Sequence, residues 1–132
     1  MKVLYIAHYR EGTGWAKAAI DYILSMDKAG IDVVPRCVKL NNNNPELPQR
    51  LLELEKKDSS GCDYCIQHVL PHYMDYSDSF KKNIAIYATE TSHFSNTIWA
   101  RKINLMDEAW VINQDMVAAS KKSGVNIPIR VV

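Results

Sequence analysis

The sequence predicts an α/β fold: a doubly wound parallel sheet with helices on both faces. Three observations predict it. Short continuous apolar runs recur along the 132 residues. Segments with apolar residues three and four apart fall between those runs. Glycine, proline and asparagine punctuate the changes from one period to the other.

The elements follow in order. Residues 2–8, KVLYIAH, form the first strand, and the unbroken run Val3 to Ala7 suits a parallel strand covered on both faces. Gly12 and Gly14 then turn the chain. Ala16, Ala19, Ile20, Ile23 and Leu24 mark one face of a helix, and Gly30 stands where a C-cap glycine closes it. IDVVPRCVKL is the second strand, and Pro35 within it points to a sheet edge. These elements make a βαβ unit. NNNNPELP, residues 41–48, is a loop. Leu47, Leu51, Leu52 and Leu54 support a short helix over 46–57, which DSSG ends. CDYCIQHVL is a third strand, cut off by Pro71, and HYMDYSDSFKK is a surface loop. NIAIYAT, residues 83–89, is the fourth strand, followed by a helix over 94–105. EAWVI, residues 108–112, is the fifth strand. Asn113 caps a helix that runs to Lys122 and stops at Ser123–Gly124, and IPIRVV is the sixth strand. Trp15, Trp99 and Trp110 are assigned to the core, and Cys37 to a buried thiol.

Composition narrows the function. The length fits one ordinary domain. Lysine plus arginine is 16 and aspartate plus glutamate is 15, so no field favours nucleic acid or an anionic membrane. Val3–Ala7 is too short for a signal-peptide core, and no run approaches a membrane span, so the expected location is the cytoplasm. Three cysteines do not suggest a disulfide framework.

In doubly wound sheets the ligand crevice lies beyond the carboxyl ends of the strands. His8 ends the first strand. His68 and His72 end and follow the third. Glu90 and His93 follow the fourth, and Asn113 follows the fifth. All four histidines of the chain thus map to one rim, expected to be an exposed cleft edge together with Gly14 and Glu90.

Three motifs carry possible chemistry. The Gly12-Thr13-Gly14 loop joins a strand to a helix, a place that suits a phosphate. The Walker A pattern fails, because Trp15-Ala16-Lys17 follows Gly14. The dinucleotide fingerprint fails too, because Lys17 replaces its third glycine. On local evidence the loop is either a plain turn or a phosphate contact. Cys62 and Cys65 with His68 and His72 have zinc-like spacing, but residues three apart on a strand face opposite ways, so no metal site is expected. Glu90, Thr91 and His93 read equally as a helix cap or as a carboxylate and an imidazole at a cleft.

Several segments taken together resemble a known family. They are the GTGWAKAAIDYILSMDKAGIDV loop and helix, YATETSHFSNTIWARKINLMDEAWVINQDM, and SGVNIPIRVV. In order and spacing they look like the N-terminal domain of retaining glycosyltransferases of the GT-B fold, the large family 4 group. The match of Gly30-Ile31-Asp32-Val33 to the end of that family's first helix is part of it. The resemblance implies a Rossmann-like half of a GT-B fold, a nucleotide-sugar donor, a sugar or glycan acceptor and retention of anomeric configuration. It implies that Gly12, Thr13 and Gly14 approach the donor diphosphate, with Gly14 the surest. His8, His68, His72 and Asn113 would line the acceptor side. Many members carry a histidine where this sequence has Glu90, so Glu90, with His93 nearby, inherits the catalytic position. The nucleotide would be held chiefly by a second, C-terminal domain, which these residues do not include. A lone N-terminal domain is expected to be inactive, and its cleft face could form dimers. No cofactor is expected beyond the nucleotide-sugar substrate. The alternative is a stand-alone α/β binding module, flavodoxin-like or a degenerate nucleotide-binding domain. A dinucleotide-dependent oxidoreductase fares worst, for want of the third glycine.

Overall fold

The computed structural model describes residues 1–40, 42, 45–88 and 97–132. The chain divides into two compact units, Met1–His68 and Val69–Val132. In both, parallel strands alternate with helices, the Rossmann-like α/β architecture that the sequence predicts.

The first unit contains β1 (Lys2–Ala7), α1 (Gly14–Lys28), β2 (Asp32–Cys37), α2 (Gln49–Glu55) and β3 (Tyr64–His68). β1 lies between β2 and β3, with Ala7 level with Cys37 on one side and His68 on the other. Pro35 sits in β2, which pairs with β1 along one side, the edge position its missing N–H suits. The core gathers Tyr5, Ala7, Ile23, Val33, Val34, Leu51 and Leu54, all fully buried. α1 buries Ala16, Ala19 and Ile23, while Ile20 and Leu24 of the expected face are half-buried. Gly30 follows the helix at φ +90, a left-handed conformation that a side chain would oppose. Arg36 donates to the carbonyls of Glu55 and Lys57, at 2.9 and 2.6 Å, and so closes the C-terminal end of α2.

The second unit contains a 3₁₀ turn (Pro71–Tyr73), β4 (Lys82–Ile86), α3 (Thr97–Ile103), β5 (Glu108–Val111), α4 (Gln114–Lys122) and β6 (Ile129–Val131). β5 lies between β4 and β6. Glu108, buried at the start of β5, ties the three strands together. It accepts from Trp110 Nε1 at 2.7 Å and Lys82 Nζ at 3.1 Å, and pairs with Arg130 Nε at 3.5 Å. Burial opposes its charge, but Trp110 and Lys82 outweigh burial and hold the carboxyl below its ordinary range.

Some elements differ from expectation. The stretch after Pro71 is not all surface loop, because the 3₁₀ turn leads into a fully buried Met74. Trp15, Trp99 and Trp110 are half-buried rather than core, and so is Cys37. For Trp110 the reason is its indole N–H, which requires an acceptor and finds one in Glu108. β3 is shorter than residues 62–70 and the described part of α3 shorter than 94–105.

Candidate functional site

The junction of β1 and α1 holds the glycine loop. Gly12 adopts φ +77, so the turn depends on glycine there. Thr13 is the N-cap of α1. Its Oγ1 accepts the Ala16 amide at 3.3 Å and donates to Glu11 Oε1 at 2.6 Å. Gly14 opens the helix, and a Cβ there would meet nothing within 4 Å among the described residues. A hollow of about 350 Å³ adjoins the loop, lined by Gly12, Thr13, Gly14, Lys17 and the segment Pro45–Leu47. Among the described residues its charged members are Lys17 and Glu46, of opposite sign.

Tyr9, also lining the hollow, is fully buried. Its hydroxyl donates to Glu55, and Arg10 forms a two-pronged ion pair with the same carboxylate, Nη2 to Oε1 at 2.6 Å. Arg10 holds the Glu55 carboxyl below its ordinary range, with Tyr9 adding to the effect after burial opposes it. Burial and the Glu55 bond push the Tyr9 phenol far up. Arg10 is therefore committed to Glu55, and its guanidinium also lies 5.4 Å from the centre of the Tyr9 ring. No local sequence signal announces this cluster, because Glu55 is 45 residues from Arg10.

Beside the loop sit two histidines. His8 follows β1 and His68 ends the neighbouring β3. Both were expected on an exposed rim, and both are buried. The side chains of α1 cover this end of the strands. Trp15 and Tyr22 lie against the His68 ring, with centroids 5.4 and 5.9 Å away. His8 Nδ1 donates to the Val38 carbonyl at 2.7 Å. His68 Nδ1 shares a hydrogen bond with the Tyr5 hydroxyl at 2.8 Å. Burial, then the nearby His8, push the His68 imidazole down to about 4, so it is neutral at pH 7. Trp15 Nε1 is buried and has no hydrogen-bond partner among the described residues.

The remaining candidates separate. His72 is exposed in the 3₁₀ turn of the second unit, its ring 4.4 Å from that of Tyr73. Asn113 spends its side chain as the cap of α4, accepting the Met116 amide at 2.9 Å. Glu90 and His93 lie outside the described residues. Cys62 and Cys65 are buried, and burial raises both thiols, Cys65 to about 11, which disfavours thiolate chemistry. Among the described residues no three histidine, cysteine or acidic side chains stand close enough to hold a metal. No helix among them is long and apolar enough to cross a membrane.

Comparison with protein-family models, with curated proteins and with solved structures gives no match for this chain.

Proposed function

We propose that the chain is the N-terminal, acceptor-side half of a retaining glycosyltransferase of the GT-B type, with a nucleotide sugar as donor. The observation that carries this reading is the glycine loop between β1 and a 15-residue helix, with an open hollow beside it. The first-turn amides of such a helix have no intrahelical acceptor, and the positive helix end faces the same way. Gly14 brings no side chain between backbone and ligand. The segments quoted for the family resemblance support the transfer chemistry, and Glu90 and His93 enter through sequence alone.

The structural details limit the loop to a partial role. Thr13 has its hydroxyl engaged twice, and Glu11 brings a carboxylate to the loop. Arg10 is neutralised by Glu55. The diphosphate contact thus falls to the Gly14 side, and the affinity of these residues alone is weak. The same details favour the second reading, a non-catalytic α/β binding module, since among the described residues the hollow has one cation, Lys17, balanced by Glu46.

Backbone NMR decides between turn and phosphate site. Titrating the protein with uridine and guanosine diphosphates should shift the Gly14, Trp15 and Ala16 amides at millimolar ligand, and Gly14→Val should abolish the response. Amides that do not move at millimolar nucleotide would overturn the phosphate role. The gene sequence downstream of Val132 tests the transferase. Continuation into further βα units with paired glutamates supports it, and a stop codon favours the binding module.

A further inference from the structure

Two chemically opposite faces lie side by side in the second unit. The first belongs to α3 and the turn that closes it. Helical bonding continues past Ile103, with Asn104 N–H to the Ala100 carbonyl at 2.9 Å and Leu105 N–H to Lys102 at 3.2 Å. Ile98 and Leu105 are therefore two turns apart on one side of the helix, with Arg101 and Lys102 between them. Both apolar side chains are 49% exposed, and the four residues line a hollow of about 370 Å³. Among the described residues, two cations and two apolar side chains line it, and no carboxylate does.

The second face belongs to the 3₁₀ turn, against which α3 packs, and to the segment after it. Tyr73 and Tyr76 are each nearly half exposed, and Asp75 and Asp78 are exposed beside them. Tyrosine offers an apolar ring with a polar tip, suited to covering aliphatic groups at a wet interface. Two carboxylates match the two cations of the α3 face in number and oppose them in sign.

We propose that these faces bind each other across a two-fold axis, so that two copies of the chain form an isologous dimer. Tyr73, Asp75, Tyr76 and Asp78 of one copy cover Ile98, Arg101, Lys102 and Leu105 of the other, and the reverse contact forms at the same time. The pairing is independent of any nucleotide-sugar function.

Light scattering coupled to gel filtration on the intact chain tests this. The wild type should run at micromolar concentration with twice the chain's 15.0 kDa. R101E/K102E should halve the mass, and so should D75K/D78K, because each places like charges across the axis. An equimolar mixture of the two variants should regain the dimer mass, since both contacts are then attractive, one with its native signs and the other with the signs exchanged. Carbodiimide treatment of the wild type should also link Lys102 of one copy to Asp75 or Asp78 of another. That readout needs no variant to fold. A monomeric wild type, or a dimer indifferent to both charge reversals, overturns the proposal.

Discussion

Protonating His68 would break the arrangement around it. Its Nδ1 faces the Tyr5 hydroxyl, its ring lies against Trp15 and Tyr22, and burial, then the nearby His8, disfavour its charged form. The folded imidazole gives up its proton at about 4, against 6.5 for an ordinary histidine. Between those values the unfolded chain binds more proton than the folded one. Stability therefore falls as pH drops through this window and is unaffected above it. The full effect is on the order of 3 kcal/mol. Urea unfolding at a series of pH values should show a steeper acid loss in the wild type than in His68→Gln, which keeps a polar partner for Tyr5. Equal slopes would remove His68 as the cause. The sequence located His8 and His68 at strand ends, because strand periodicity is local. It could not show that they are buried, because that depends on where the bulky side chains of α1 come to rest.

At the scale of elements, the two capped helices differ in a way that can be measured. Asn113 accepts the Met116 amide at 2.9 Å, a well-made N-cap, and Asp115 in the first turn favours the same helix end. Thr13 accepts the Ala16 amide at a longer 3.3 Å and shares its hydroxyl with Glu11. Asn113→Ala should therefore cost about 1 kcal/mol and Thr13→Ala clearly less, read as shifts in the urea midpoint. A larger loss at Thr13 would mean that its bond to Glu11 organises the whole loop. Asn113, Gly30 and Pro35 were all legible in the sequence, because a cap, a left-handed turn and a missing N–H are properties of a few adjacent residues. The 3₁₀ turn at Pro71 was not. Its buried Met74 sits among polar neighbours, and no period marks it.

For the molecule as a whole, the alternation of strand and helix was readable from one end to the other. Each element carries its own period, and the order of periods fixes the class. The Tyr9–Arg10–Glu55 cluster escaped, since only folding brings α2 to the end of β1. The same distinction applies to charge. The sequence supplies a near balance, 16 basic against 15 acidic residues and an isoelectric point near 7.7. Folding changes how that balance responds to acid, because His68 withholds its charge until about pH 4. Net repulsion between copies is therefore weakest close to neutrality, where nothing opposes contact between complementary faces. Solubility should be lowest at about pH 7.7 and rise on either side, since net charge of either sign keeps copies apart. Static light scattering across that range measures it, and a minimum on the acid side of about pH 6 would show that folded-state shifts beyond His68 govern the surface charge.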